Sequence, residues 1–526
     1  MSGLFDNKTD KTNRRVERTR KEEREKRRVR IITLIVVAAL VIITGAALFI
    51  NSRFVRRSMA AITIGGVNFS AAEFDFFYYN TYNEYAQSLS QLGDFASEYL
   101  PSNDRLHSNQ ILDPETGETW ADYFVEYTIT SLSRQVQFYN AAMAAGYRLP
   151  AESLEAIDSE VEYYAYIALM GGYPSLDSYL QNIFGNNMNE ASLRTALVFA
   201  YTASAYNELM FNAFTFTEQQ LAEHYLENRD DYDNFAYRTF LVKSETVSED
   251  DYETEEEYSE ALGEAQAQAY AKATEIIDSI SIEGISSEED FIEAARQYSD
   301  DYSNPGSTLM VIPGSELNST DIGWLLDEGR RYGDMAAILS DNDSGCFVLF
   351  FISRDPNEYP LVGMRQILVL RGAVDVVMYV DGINDPEYLE ALENAEEDAR
   401  IRAEYILDVF VEGGHTEDWL IDMMEEHSDD TTEGGYYYPI SKSHALNKLV
   451  PEIEDWLFEP DRQYGDYKLI RSAAHGYHLV FFMEHGERYC DFIAEGTLRN
   501  DAYTAWRDGL EEVDFQKHWA FMFTQH

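Results

Sequence analysis

The pattern of apolar and polar positions changes rhythm several times along this chain. Thirty charged and polar residues are followed by twenty without any charge, Ile31 to Ile50 (IITLIVVAALVIITGAALFI). At 1.5 Å per residue a helix of that length spans about 30 Å, the thickness of a bilayer's hydrocarbon core. Ala61–Val67 (AITIGGV) then predicts a short strand ending in a Gly-Gly turn. Ser70-Ala71-Ala72-Glu73 is a capping box opening a helix. The aromatic run Phe74–Tyr79 lies on more than one face of that helix, which predicts a buried core helix or, alternatively, an aromatic groove. Residues 90–215 alternate helical stretches with loops such as Pro101–Gly117 and Gly171–Pro174, and Glu218–Asn228 reads as a further helix.

From there one pattern occurs twice. Trp324-Leu325, Arg330-Arg331-Tyr332-Gly333-Asp334 and Gly345–Phe351 recur as Trp456-Leu457, Arg462-Gln463-Tyr464-Gly465-Asp466 and Gly476–Phe482. The offset is 132 and slips to 131 at the glycines, which marks a duplicated folding unit. Each copy predicts a strand (Tyr237–Lys243; Met364–Leu370) followed by an acidic insertion that reads as a solvated loop and helix start (Ser244–Glu257; Asp375–Glu397). A long helix (Ala265–Ile280; Asp398–Glu412) and a second helix ending in Ser299-Asp300-Asp301 or Ser428-Asp429-Asp430 come next. A glycine-bearing loop, a short helix with the Trp-Leu pair and two closing strands complete an α+β unit, helices on a small sheet. The tail Tyr489–His526 reads as helical, with Trp506, Phe515, Trp519, Phe521 and Phe523 to dock it on an earlier domain.

Charge adds two constraints. The chain carries a formal −54 with a pI near 4.3, which argues against a nucleic-acid partner because phosphate binding needs clustered Lys and Arg. Residues 1–30 oppose the trend with 12 Lys/Arg against 6 Asp/Glu, leaving −60 for the remainder. With Arg53, Arg56 and Arg57 where a cleavage site should be small and neutral, 31–50 reads as an uncleaved transmembrane anchor. The stronger basic flank at 14–30 places the N-terminus inside and the bulk outside. Cys346 and Cys490 are the only cysteines, either a single bridge or two buried thiols.

No metal or cofactor is expected. Asp341-Asn342-Asp343-Ser344-Gly345 begins like a calcium loop, but Ile352 stands where the closing Glu belongs. His475 and His478, three apart in or near a strand, should point to opposite faces. No CxxC, HExxH, GxSxG or phosphate-cradling loop is present.

The second copy resembles a parvulin-type peptidyl-prolyl isomerase. The residues that carry the resemblance are Arg365-Gln366-Ile367-Leu368-Val369, His427-Ser428-Asp429-Asp430, Gly434-Gly435, Leu449-Val450-Pro451-Glu452-Ile453-Glu454-Asp455 and Gly476-Tyr477-His478. The similarity covers about 360–486, and a degenerate version covers 232–355. The whole is similar to SurA/PrsA-type foldases: a basic cytoplasmic segment (1–30), an anchor (31–50), a helical chaperone-like domain (59–230), two parvulin-like domains and a C-terminal helix (487–526) docking on the helical domain. The resemblance implies that Leu449, Ile453 and Phe458 line a proline pocket with Tyr437 at its rim. It also implies that His478 is one of a histidine pair and that Asp430 lies beneath it. Gln366 replaces the other histidine, and Tyr436 and Tyr438 replace an Asp and a Gly of the family pattern. Thr239 and Phe347 hold both histidine positions in the first copy, which therefore reads as catalytically dead. The implied function is a membrane-anchored foldase for unfolded or proline-containing exported polypeptides, outside the plasma membrane of a Gram-positive bacterium, with weak isomerase activity. The alternative is a non-catalytic holdase or peptide-binding scaffold at the cell surface.

Overall fold

The computed structural model describes residues 6–50, 52–89, 93, 99–102, 105–281, 287–299, 302–318, 323–342, 344–379, 382–442 and 449–526, with side chains from residue 26 onward. Asp300, Asp301 and Asp343 of the sequence reading lie outside them. The fold is α+β, and the chain divides into two compact units, Met1–Phe214 with Asp501–His526, and Thr215–Asn500.

The first unit begins with α1 (Asp6–Ile50), whose segment Lys26–Ile50 is long and apolar enough to cross a membrane and is not buried against the protein. Helix α2 (Arg53–Ser58) leads to a hairpin, β1 (Ala60–Ile64) and β2 (Val67–Ser70). Gly65 and Gly66 turn it with φ of 52° and 82°, a conformation glycine adopts without strain. The Ser70–Glu73 capping box is formed and starts α3 (Ala71–Ser88). Phe74, Phe76, Phe77 and Tyr78 of α3 are all buried, so this is a core helix and the groove alternative for it is overturned. A small hairpin, β3 (Ile111–Asp113) and β4 (Glu118–Thr119), precedes α4 (Trp120–Ala144), α5 (Ala151–Met170), α6 (Leu176–Phe184) and α7 (Glu190–Ala213). The core they enclose is built from edge-to-face rings, Phe69 on Phe199 and Phe76 on Phe184 both at 5.0 Å. Such pairs add about 0.5–1.5 kcal/mol each beyond area burial. The tail is less helical than the sequence predicts: Phe515–Lys517 pairs with β1 as the sheet's other edge strand, and Trp519–Phe523 is a 3₁₀ turn.

The second unit opens with α8 (Glu218–Glu227), which the sequence reading assigned to the helical domain, and the short α9 (Arg229–Tyr232). Two sheets of identical plan follow. The first joins β5 (Asn234–Lys243), β6 (Leu309–Pro313), β7 (Met335–Leu339) and β8 (Gly345–Asp355) in the order β6-β5-β8-β7. Against it pack α10 (Glu255–Ile280) and α11 (Glu288–Tyr298). The second joins β9 (Pro360–Leu370), β10 (Tyr436–Ile440), β11 (Tyr467–Ser472) and β12 (Gly476–Arg488) in the order β10-β9-β12-β11. It carries α12 (Pro386–Glu412) and α13 (Glu417–His427) on one face and α14 (Pro451–Leu457) on the other. Every pairing in both sheets is antiparallel. Both long helices start earlier than expected, at Glu255 and Pro386, because Thr254 and Asp385 cap them. The end of each acidic insertion is therefore helical, with Glu255–Glu257 and Glu387 in first turns, where the helix dipole favours negative charge.

The doubled motif is the hardware of these sheets. Arg330 lies over the Trp324 ring at 4.4 Å and donates from Nε to the Trp324 carbonyl; Arg462 does the same to Trp456, at 4.0 Å. Gly333 and Gly465, at φ 88° and 91°, donate to the carbonyls of Phe351 and Phe482. Asp334 and Asp466 close the same turn by accepting from the backbone N–H groups of Arg331 and Gln463. Cys346 and Cys490 are both buried and free.

Candidate functional site

Alternation along β9 and β12 separates two jobs. Ile367, Val369, Tyr477, Leu479 and Phe481 face α12 and α13 and form one apolar cluster. Val362, Met364, Val480 and Phe482 face α14 with Ile453, Trp456 and Leu457. Gln366 and His478 fall on this second face by parity, and register places them as diagonal neighbours, because Val480 pairs with Gln366 and His478 with Leu368. Both are polar and both are buried, at 7% and 4% exposure. Buried polar groups on an apolar face must find partners or cost stability.

They find each other. His478 Nδ1 and Gln366 Oε1 are 2.9 Å apart, and Gln366 Nε2 donates to Asp430 Oδ2 at 2.9 Å. The Tyr437 hydroxyl donates to the same Asp430 oxygen at 2.6 Å and lies 2.9 Å from Thr432 Oγ1. The Thr432 N–H donates to Asp430 Oδ1 at 2.9 Å. Burial raises the Asp430 pKa, but the bonds from Tyr437, Thr432 and Gln366 outweigh it and hold the carboxyl below its ordinary value. An ionised Asp430 only accepts, so the Gln366 amide presents its NH₂ to it and its carbonyl to His478. The His478 Nδ1 therefore carries the proton, and Nε2 is a bare acceptor. Burial, with the nearby His475, pushes the His478 pKa down to about 4, so the ring is neutral at physiological pH. Nε2 is buried and has no hydrogen-bond partner among the described residues.

The structure brings the residues named from sequence onto this one face, at different distances from His478. Ile453 is buried in the cluster behind the relay, with Tyr437, Leu449 and Phe458 packed against its margin. Glu452, at the start of α14, is close enough to influence His478's titration. Phe458, at the helix's other end, meets Tyr359 edge-on at 5.6 Å and belongs to the far end of the face. The loop keeps its turn despite Tyr436 and Tyr438, because Gly434 and Gly435 take φ of 59° and 55°. A Cβ on Gly435 would lie 2.5 Å from the Gln366 carbonyl. Tyr436 instead packs on the sheet surface, under the Arg365 guanidinium and hydrogen-bonded to Glu484.

His475 sits in the turn just before β12, near the strand, and its ring lies 6.2 Å from that of His478. No three His, Cys, Asp or Glu side chains among the described residues form a metal-binding group. Sequence reasoning missed Thr432, which braces both Asp430 and Tyr437. It named Ser428 within a motif but gave it no role; the Ser428 hydroxyl accepts from the Leu368 and Asp430 N–H groups. Both stand in the polar run around Asp429-Asp430, which was the available signal.

In the first sheet the corresponding face is closed. Phe347, Leu349 and Phe351 pack with Tyr237, Leu325 and Trp324. Thr239, at the Gln366 position, has a buried hydroxyl without a partner among the described residues.

No family model and no curated protein matches the chain. Among solved structures it is similar to one described as "The virulence factor PEB4 and the periplasmic protein Cj1289 are two structurally-related SurA-like chaperones in the human pathogen Campylobacter jejuni". The identity is 17%, covering 42% of this chain and 77% of that one, with a TM-score of 0.19. A likeness that slight carries no weight for function; the geometry does.

Proposed function

We propose that this protein is a membrane-anchored foldase for exported, unfolded or proline-containing polypeptides, working outside the plasma membrane of a Gram-positive cell. In this reading 232–355 and 360–486 are parvulin-like domains, the first serving as scaffold and the second retaining weak peptidyl-prolyl isomerase activity. Residues 31–50 are the anchor, consistent with the unburied apolar surface of the helix segment Lys26–Ile50 that contains them.

The observation that carries the reading is the relay His478–Gln366–Asp430–Tyr437 on an otherwise apolar sheet face. Rotation about an X–Pro bond meets a barrier of about 18–20 kcal/mol and needs no nucleophile or cofactor. It needs an apolar seat for the pyrrolidine ring and a fixed polar environment for the twisting amide. In this reading Leu449, Ile453 and Phe458 supply the seat, with Tyr437 at its rim. The relay supplies fixed dipoles: Asp430 is anchored by three donors, and Gln366 replaces a histidine while still bridging carboxylate and imidazole. Because an amide does not titrate, the bridge keeps its polarity across the pH range in which a histidine pair would change charge.

A second reading, a non-catalytic holdase, is favoured by one observation: His478 Nε2 lies below the surface, out of solvent's reach. The two separate on the full chain in detergent micelles, assayed for isomerisation of a proline tetrapeptide and for protection of an aggregating client. The foldase reading expects both activities, with the isomerase rate lowered in His478→Ala and Ile453→Ala. Client protection without any rate above background would leave the holdase.

A further inference from the structure

The first unit has an open sheet edge that none of the functions above uses. Its sheet runs tail strand–β1–β2, so β2 is outermost and its outer edge pairs with no strand among the described residues. Ile64 pairs with Val67 across the Gly65-Gly66 turn and Thr63 with Asn68. In a two-residue hairpin this alternation turns the Asn68 N–H and C=O outward, toward the free edge. An edge of this kind is a template for another extended chain.

Directly beside it lies a hollow of about 420 Å³, at the small end of the roughly 300–1,000 Å³ typical of ligand sites. Val67 and Phe69 of β2, Tyr139 of α4, and Val198 and Phe199 of α7 line it. Asn68 also borders it, although its side chain accepts a bond from Thr63 and so belongs to the other face. The hollow therefore reaches the strand's backbone edge. Side chains of a strand added beside β2 would alternate in the same sense as Val67 and Phe69, placing every second one over Phe199 and Val198.

The chemistry of the hollow selects the occupant. Its two charged residues are already engaged: Glu73 accepts from the Ser70 N–H in the capping box, and Arg194 is ion-paired with Asp158 and Glu190. What they leave is an uncharged apolar surface next to the outward N–H and C=O of Asn68. We propose that the β2 edge and this hollow bind an extended segment of a partner polypeptide as a fourth strand, with a large uncharged side chain, aromatic or aliphatic, seated on Phe199 and Val198. The docking claim rests on this geometry alone; that the partner is a folding client rests on the function proposed above. A second copy of the chain is the less suitable occupant, because each copy carries −54.

The test is fluorescence anisotropy of the full chain in detergent micelles with a short labelled peptide of alternating Thr and Val and one central Phe. Val198→Glu puts a charge on a surface-exposed helix position that lines the hollow. Asn68→Pro removes the outward N–H and the side-chain bond from Thr63 while leaving the backbone bonds to β1, and Asn68→Ala, which loses only the side-chain bond, is its control. N-methylating the peptide beside its Phe removes the same kind of bond without altering the protein. Each change except the Asn68→Ala control is expected to weaken binding about tenfold or more, the loss of roughly 1.4 kcal/mol, with circular dichroism unchanged. Unchanged binding in Val198→Glu and with the N-methylated peptide overturns the proposal, as does a dimer in sedimentation that Asn68→Pro abolishes. Client protection that persists while peptide binding ignores these changes would sink the site and leave the foldase reading standing. A chain that neither binds the peptide nor protects a client would sink both.

Discussion

His478 is held neutral by burial and in a single tautomer by a glutamine. The relay predicts that long-range ¹⁵N correlation spectra show the proton on Nδ1 of His478 at pH 7; a proton on Nε2 would contradict it. Because the folded pKa, about 4, lies below the ordinary histidine value, the unfolded chain binds this proton more readily. The contribution of the neutral ring is present above pH 6.5 and is lost as pH falls from about 6.5 to 4. The slope is at most about 1.4 kcal/mol per pH unit. His478→Gln should flatten that part of a melting-temperature profile of the second unit, and an unaltered profile would show that the ring titrates normally. Gln366→Leu removes both bridging bonds, strands the buried His478 imidazole and takes one of three donors from the half-buried Asp430 carboxylate, so a loss of about 1–3 kcal/mol is expected in denaturant unfolding. The sequence reading named every member of this relay, and of its supports only Thr432 was outside the motifs. What it lacked was the order of contact, since Gln366 and His478 are 112 residues apart and meet only through strand register.

At the level of elements, the repeated Trp-Leu, Tyr-Gly-Asp and Gly positions hold turns and sheet crossings, and chemistry is carried by other positions on the same strands. Gly465 and Gly476 show two different reasons for glycine. At Gly465 a Cβ meets nothing within 4 Å, and only its φ of 91° resists substitution. At Gly476 a Cβ would lie 2.4 Å from the Val369 carbonyl oxygen, a backbone atom that cannot swing away. Gly465→Ala should therefore cost about 1–2 kcal/mol and Gly476→Ala clearly more, measured by urea unfolding; equal costs would refute the distinction. Strand and helix order were legible from the duplicated period, since each copy supplies the other's missing signals. The early helix starts at Glu255 and Pro386 were not, because acidic runs read equally as solvated loop and as a capped first turn. The tail strand Phe515–Lys517 was hidden for another reason: three residues carry no period, and its partner β1 lies more than 450 residues away.

On the scale of the whole molecule, the first unit is closed by the chain's last residues. Asp75 is fully buried and accepts from the Gln525 N–H at 2.8 Å and Asn187 Nδ2 at 3.0 Å, while Phe521 packs edge-on against Phe74. Asp75→Ala would leave the Gln525 N–H without its acceptor and Asn187 Nδ2 with only the Phe523 carbonyl, and should lower the stability of that unit by about 1–3 kcal/mol; wild-type melting behaviour would contradict this. A scaffold so finished in both units, with polar chemistry retained on a single sheet face, is the physical content of the foldase proposal. Its most direct test is exchange spectroscopy on a Phe-Pro peptide mixed with the full chain in micelles. Unaided interconversion of the cis and trans forms takes tens of seconds, too slow to give exchange cross-peaks. The account predicts cross-peaks with the wild-type protein that disappear with a folded His478→Ala variant. Their absence with the wild-type protein, or their persistence in the variant, would contradict it.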